Sequence, residues 1–153
     1  MLIERIEGEL KDAARARDKH RLGTLRMLKS ALKYREIEIN KELSDAEVVQ
    51  VAQTLIKQRR DSAGQFRSGG RPELAQNEEA EIVVLESFLP RQLGDDELAQ
   101  LASEAVTETG ATDPKGMGAV MKALMPKIAG RAEGKRVSDA VKAALAAKAG
   151  QKG

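Results

Sequence analysis

The sequence lacks cysteine and tryptophan and contains a single histidine, and these absences exclude several kinds of chemistry. Without cysteine the chain forms no disulfide, no thiolate nucleophile and no cysteine-ligated metal site. The histidine, His20, lies among charged residues and has no partner pattern typical of a metal site or a catalytic triad. We therefore predict no catalytic residue, no metal and no cofactor.

Long apolar stretches are also missing. No segment approaches the about 18 consecutive apolar residues that a membrane-spanning helix requires. The N-terminus is charged by Glu4 and Arg5 and does not resemble a secretory signal. Together with the absence of cysteine, this leads us to expect a soluble, cytoplasmic protein without membrane contact.

Aromatic residues are scarce, which determines the kind of core the chain can build. Tyr34, Phe66 and Phe88 are the only ones among 153 residues, whereas hydrophobic residues of all types make up 41%. The core must therefore be aliphatic. A compact chain of this length can bury roughly 70% of its extended surface, as one domain or two small ones.

Charge is present in quantity and is unevenly distributed. Residues 1–71 carry 16 Lys and Arg against 11 Asp and Glu, residues 72–109 carry one against 10, and residues 110–153 carry nine against three. A basic, acidic, basic order can place positive patches on two surfaces that attract polyanions. The alternative is that these charges form ordinary solvated helix faces.

Apolar residues recur at spacings of three and four along the chain, which predicts an all-α fold. Residues 1–89 read as an N-terminal bundle of about four helices. Ser44 and Glu47 have the spacing of a capping box at the start of the third helix. Gly69 and Gly70 mark the end of that helix, and Pro72 suits the first turn of the fourth.

A second domain is predicted after Leu89-Pro90, because proline disfavours helical geometry in the residue before it. Residues 95–150 read as a three-helix domain with helices at about 95–109, 114–128 and 135–148. Asp113-Pro114 is typical of a helix start. Pro126 suggests a kink or a strained last turn in the middle helix.

The segment from Asp113 to Val137 is the best candidate for a functional surface, since it is both basic and rich in glycine. Its cations are suited to phosphate contacts and its glycines to close approach of another backbone. The alternative is that Gly116 and Gly118 allow tight helix packing while the lysines only solubilise. The predicted RNA-contacting residues are Lys115, Lys122, Arg131, Lys135 and Arg136, and the predicted backbone-shaping residues are Gly116, Gly118, Gly130 and Gly134.

A secondary basic patch is predicted in the N-terminal domain. It consists of cations on two helices that would face the same RNA if the helices are neighbours. Its members are Arg26, Lys29 and Lys33 on the second helix and Lys57, Arg59 and Arg60 on the third.

Five blocks of sequence carry a family resemblance: Arg26 to Lys33, Lys57 to Ser62, Glu78 to Glu81, Phe88 to Leu93, and Gly116 to Val137. In their order and content they resemble the GatB/YqeY family, specifically its free-standing YqeY-like proteins. The likeness extends from about Leu2 to Ala147.

This resemblance implies a link to tRNA. Residues 95–148 are similar to the tail domain of the GatB subunit of tRNA-dependent amidotransferase, a helical module that contacts tRNA. The family label is carbon–nitrogen ligase activity with glutamine as amido-nitrogen donor, but the catalytic part of GatB has no counterpart in this sequence. The resemblance therefore implies an accessory protein that is not catalytic alone.

We expect this protein to be a monomer that binds tRNA or a tRNA–amidotransferase complex, with amidotransferase subunits or an aminoacyl-tRNA synthetase as further partners. Two alternatives remain. One is a protein–protein adaptor that docks another subunit without contacting RNA, and the other is an enzyme with amidotransferase or ligase activity of its own.

Overall fold

The computed structural model describes residues 1–150, which form seven α-helices and no β-strand. The prediction of an all-α fold is confirmed. The backbone divides into two compact units, residues 1–89 and the chain from Pro90 onward. The helices are α1 (Leu2–Arg15), α2 (Lys19–Ile39), α3 (Asp45–Ser68) and α4 (Pro72–Glu86) in unit 1, and α5 (Asp95–Thr109), α6 (Met117–Ile128) and α7 (Gly134–Gly150) in unit 2.

Unit 1 is built around an aliphatic core with one buried aromatic ring, that of Phe88. Helix α3 packs along α4 and α1 along α2, while α2 also contacts α3 and α4. The side chains at the centre are fully buried because the apolar positions of each helix recur at helical spacing on one face. They include Ile6, Leu25, Leu28, Val48 and Leu85.

The start of α3 shows the predicted capping box. The Ser44 hydroxyl accepts a hydrogen bond from the Glu47 backbone N–H at 3.2 Å, and the Ser44 N–H donates to Oε1 of Glu47 at 3.2 Å. The hydrogen bonds that Ser44 donates from its backbone and its hydroxyl lower the pKa of the Glu47 carboxyl. Helix α3 ends at Ser68, and Pro72 is the first residue of α4, as the sequence predicts.

Ion pairs connect α3 to α4. Three arginines of α3 each reach a glutamate of α4, which places the acidic stretch after residue 72 against basic residues of the same unit. The pairs are Arg59 with Glu81, Arg60 with Glu86 and Arg67 with Glu79.

Unit 2 has its own aliphatic core. Helix α5 packs on both α6 and α7, and α6 contacts α7. The buried side chains again follow helical spacing in each helix. They include Leu98, Val106, Val120, Leu124, Ile128, Val137, Val141 and Leu145.

The middle helix of unit 2 begins later than predicted. Pro114–Gly116 is a short 3-10 turn, and α6 starts only at Met117. The Asp113 side chain accepts from the Lys115 N–H at 2.9 Å, so the aspartate caps the 3-10 turn and not α6.

The described helices include none that is both long and apolar enough to cross a membrane. The two compact units correspond in position to the two predicted domains. Their independence as folding domains stays a prediction.

Candidate nucleic-acid interface

The loop between α6 and α7 is held by its own hydrogen bonds. Ala129 and Gly130 both adopt left-handed backbone conformations, with φ of 47° and 81°, which ends α6. Arg131 then folds back: its Nη2 donates to the Lys127 carbonyl at 2.7 Å and its Nε to the Ile128 carbonyl at 3.3 Å. The Arg131 side chain therefore caps carbonyls at the end of α6, where the helix itself supplies no further N–H donors.

The same loop fixes the segment that precedes α5. The Leu93 N–H donates to the Arg131 carbonyl at 2.7 Å. In return, Nη2 of Arg136 donates to the Leu93 carbonyl and to Oδ1 of Asp95, both at 2.9 Å. Gln92 adds a bond from Nε2 to the Gly130 carbonyl at 3.1 Å.

Arg131 and Arg136, both predicted to contact RNA, are therefore also structural residues. Each keeps donors that make no hydrogen bond within residues 1–150, namely Nη1 in both and Nε in Arg136. The side chain of Arg136 remains 36% exposed. Because intramolecular bonds already fix the guanidinium groups, a phosphate contact there would cost little side-chain entropy.

The three predicted lysines differ from the arginines. Lys115, Lys122 and Lys135 are exposed and form no ion pair with any residue in the described chain. Lys127 shows the contrast, since its Nζ lies 2.8 Å from Oε2 of Glu108, and this hydrogen bond raises the pKa of Lys127. The positive charge of α6 and its flanks that no ion pair within residues 1–150 offsets therefore resides on these three lysines and on Arg131, which bonds only to backbone carbonyls.

The predicted residues do not gather at one point. Helix α6 has 12 residues and so is about 18 Å long. Lys115 precedes its first residue, whereas Arg131, Lys135 and Arg136 follow its last. The candidate interface is therefore a strip along α6, with Lys122 between two basic ends, and is not a pocket.

The four predicted glycines have two different roles. A Cβ on Gly116 would lie 2.6 Å from Cβ of Ala111, so the 3-10 turn packs directly on the preceding loop. Gly130 is required by its left-handed conformation. Gly118 and Gly134, in contrast, are exposed, and a Cβ there would meet no atom within 4 Å, so their backbones are open to another molecule.

The sequence reasoning missed the outward face of α6. It consists of small or apolar residues with one charge, in a chain of which 33% is charged. The sequence does contain a signal for this face. Its residues recur at three- and four-residue steps, between the buried positions of the same helix. The face comprises Gly118, Ala119, Lys122, Met125 and Pro126, all of them exposed.

Charge is separated between the helices of unit 2. Helix α5 carries five acids and no base. Residues 114–150 carry eight bases and two acids, Glu133 and Asp139. This separation makes α6, α7 and their loop the basic side of the unit.

The secondary basic patch is divided in a way that the sequence did not predict. Arg59 is only 13% exposed in its side chain, with Nε 3.0 Å from Oε2 of Glu81, and Arg60 is bonded to Glu86 at 2.7 Å. The exposed members without an ion pair in residues 1–150 are Arg26, Lys29, Lys33 and Lys57. RNA contact by any of these residues stays a prediction.

The chain is similar in sequence to a known protein family and to several fungal proteins. The sequence model of the YqeY-like protein family matches residues 3–145. An uncharacterised protein of Schizosaccharomyces pombe is 33% identical over 85 residues, which is 56% of this chain and 69% of the relative.

Two further relatives carry the name altered inheritance of mitochondria protein 41, mitochondrial. The one from Lachancea thermotolerans is 30% identical, over 73% of this chain and 62% of its own length. The one from Pyrenophora tritici-repentis is 27% identical, over 86% of this chain and 74% of its own length.

These names correct one expectation. The predicted cytoplasmic location is wrong on this comparison, because the relatives from Lachancea thermotolerans and Pyrenophora tritici-repentis are named as mitochondrial proteins. The prediction depended on the absence of cysteine and of a secretory signal, and neither feature distinguishes the cytoplasm from other reducing compartments.

The family match settles what kind of chain this is. It includes all of α2 to α6 and most of α1 and α7, and it contains the five blocks of sequence that first suggested the resemblance. The chain belongs to the family of YqeY-like proteins.

Proposed function

We propose that this protein is an accessory factor that binds tRNA along α6 and the α6–α7 loop, acting beside a tRNA-dependent amidotransferase without catalysing the reaction itself. The observation that carries the proposal is the strip along α6, where small exposed residues surround Lys122 and unpaired lysines lie at both ends. The resemblance of residues 95–148 to the GatB tail domain supports tRNA as the RNA.

The strip suits a phosphate backbone for two physical reasons. The lysines Lys115, Lys122 and Lys135 form no ion pair in the described part of the chain, so binding a phosphate breaks no internal interaction. The open backbone at Gly118 and Gly134 lets a bulky sugar–phosphate chain come close.

Folded RNA fits this surface better than single-stranded RNA. Residues 90–153 contain no aromatic residue, so unit 2 has no ring on which an unpaired base can stack. Recognition there must depend on phosphate position and helix shape, the mode typical of double-stranded RNA. The acidic surface of α5 would repel the same polyanion and restrict binding to the basic side.

The test is tRNA binding by a variant that carries Lys122→Glu and Lys135→Glu. Both side chains are exposed and without ion pairs in residues 1–150, so the variant is expected to fold normally while its affinity for tRNA falls at least ten-fold. The matched control reverses the charges of Lys11 and Lys19, which are exposed, form no ion pair within residues 1–150 and lie in unit 1 outside the secondary basic patch. Equal losses in the two variants would reduce the interaction to general charge attraction and contradict the proposal.

A protein–protein adaptor is the second candidate, and the exposure of Met125 favours it. This side chain is 43% exposed beside Pro126, an apolar contact surface on the same strip. The adaptor predicts that Met125→Glu releases a co-purifying subunit and that no salt-sensitive binding of tRNA exists. Salt-sensitive binding that survives Met125→Glu would exclude the adaptor.

A further inference from the structure

The outward face of α2 in unit 1 combines positive charge with exposed apolar side chains. Tyr34 and Ile37 are 74% and 72% exposed, although both are large and apolar. Three cations, Arg26, Lys29 and Lys33, are exposed on the preceding turns. Along the helix, each of these five residues is adjacent to the next or three to four positions from it, so they form one continuous surface. We call this surface, made of Arg26, Lys29, Lys33, Tyr34 and Ile37, the α2 face.

The α2 face is uncompensated in charge. Its three cations form no ion pair with residues 1–150, in contrast to Arg59 of α3, which is paired with Glu81. The sequence from Arg26 to Arg35 contains no acid. The nearest acids of the helix are Glu36 and Glu38 at its C-terminal end, and Glu38 pairs with Arg35, so the stretch that carries the three cations stays positive.

Tyr34 is not part of the core. The other aromatic residues of unit 1 are Phe88, which is fully buried, and Phe66, which is half-buried. The Tyr34 ring extends into solvent next to Ile37, one turn further along α2. An exposed aromatic ring adjacent to cations is the arrangement with which proteins hold an unpaired nucleotide, because every base has a face that can stack.

We propose that the α2 face binds an unpaired stretch of RNA, with one base stacked on Tyr34 and the adjoining phosphates on Arg26, Lys29 and Lys33. The inference rests on the proposed function in taking RNA as the ligand. The site proposed here lies in unit 1 and not in unit 2. It recognises RNA by base stacking as well as by charge, whereas α6 offers phosphate contacts but no aromatic ring. Ile37 extends the apolar surface beneath the stacked base.

The charge of the face favours RNA over a protein partner. Lysine is depleted at the centre of protein–protein interfaces, whereas a row of cations without acids is the electrostatic footprint of polyanion binding. A protein partner remains a possible outcome of the test and would overturn the proposal.

The sequence offers a direct probe, because Tyr34 is the only tyrosine. Full-length protein labelled with carbon-13 in tyrosine gives the ring signals of Tyr34 alone in a proton–carbon spectrum. Titration with a short single-stranded oligoadenylate should move these signals upfield through the ring current of the stacked base. An RNA duplex of equal length should leave them near their free positions, and unchanged signals in both titrations would overturn the proposal.

Two substitutions test the energetics. Tyr34→Ala should weaken oligoadenylate binding about five-fold or more, whereas Tyr34→Phe keeps the ring and should bind nearly as the native protein does. Because the side chain is largely exposed, neither change should alter the melting temperature. Equal affinities for both variants would contradict stacking and would point to charge attraction or to a protein ligand.

Failure of this inference is distinguishable from failure of the proposed function. If Lys122→Glu with Lys135→Glu weakens tRNA binding while the Tyr34 signals do not move, only the α2 proposal falls. If the Tyr34 signals move and the two lysine changes have no effect on tRNA, the α2 proposal stands and the α6 strip loses its role.

Discussion

Arg59 of α3 and Glu81 of α4 form an ion pair between two helices that pack along each other, with 3.0 Å between Nε and Oε2. The guanidinium group is held further by the Leu55 carbonyl, to which Nη1 donates at 3.1 Å, and its Nη2 lies against the sulfur of Met27. With its side chain only 13% exposed, Arg59 joins α2, α3 and α4 and presents little charge to solvent.

We expect Arg59→Ala to lower the free energy of unfolding by about 1–3 kcal/mol, because it leaves the partly buried Glu81 without its partner. The control is Arg67→Ala. Its pair with Glu79 has both side chains about half exposed, so the expected loss is only about 0–1 kcal/mol. Urea unfolding of both variants measures the difference.

The charge-exchanged protein provides a further check on this pair. Arg59→Glu combined with Glu81→Arg should recover part of the stability that either single change removes. Additive losses would show that the two side chains do not interact in solution.

Gly116 is required for packing, whereas Gly118 is not. Gly116→Ala would bring a methyl group within 2.6 Å of Cβ of Ala111, and we expect a loss of about 1–3 kcal/mol in the free energy of unfolding. Gly118→Ala meets no atom within 4 Å in a helix and should be neutral or stabilise by about 0.5–1 kcal/mol. Thermal unfolding distinguishes the two.

A compensating change tests the cause of the first effect. Ala111→Gly in the Gly116→Ala background removes the opposing methyl group and should restore part of the melting temperature. If Gly116→Ala alone leaves the melting temperature unchanged, the close approach does not exist in solution.

Most of the fold could be predicted from the sequence because its signals are local. The capping box at Ser44 and the glycine stop after Ser68 require only neighbouring residues, and both lie where expected. The start of α6 is different. Asp113 and Pro114 satisfy the pattern of a helix start, but the chain first makes a 3-10 turn that packs on Ala111.

The candidate site was less predictable because its residues have partners far away in sequence. Arg59 lies 22 residues before Glu81, and Arg136 reaches Leu93 from 43 residues away. Spacing along one helix identifies which side chains share a face, but it does not tell which charges another helix neutralises. The sequence therefore identified the lysines and arginines as candidates together. It could not show that the lysines are unpaired while the arginines also hold the fold.

Arg136 should matter for stability as well as for binding. Arg136→Ala removes the donor to the Leu93 carbonyl and to Asp95, and we expect a loss of about 1–3 kcal/mol in the free energy of unfolding. Asp95→Ala is the control. The Asp95 side chain is 96% exposed, so this change should lower the free energy of unfolding by only about 0–1 kcal/mol. A loss for Asp95→Ala as large as that for Arg136→Ala would assign the effect to the ion pair and not to the backbone contact.

Glu47 should make stability depend on pH in the acidic range. The hydrogen bonds from Ser44 lower the pKa of Glu47 in the folded protein, so its stabilising contribution is fully present above the pKa of the unfolded chain, about 4.3. The contribution is lost as the pH falls through the lowered pKa. Glu47→Gln keeps the shape but not the charge, so it should be less stable than the native protein at about pH 7 and equally stable at the acid limit.

Urea unfolding across that pH range measures this effect. A stability difference between Glu47→Gln and the native protein that does not change with pH would show that the charge of Glu47 has no part in the cap.

The central claim is that unpaired lysines along α6 and at its two ends contact tRNA phosphates, and the salt dependence of binding tests it most directly. The affinity of the native protein for tRNA is measured across a series of salt concentrations, beside a variant with Lys115, Lys122 and Lys135 all changed to glutamine. Each lost phosphate contact should reduce the log–log slope by about 0.7–0.9, so the variant should lose about two units or more. An unchanged slope would contradict the account.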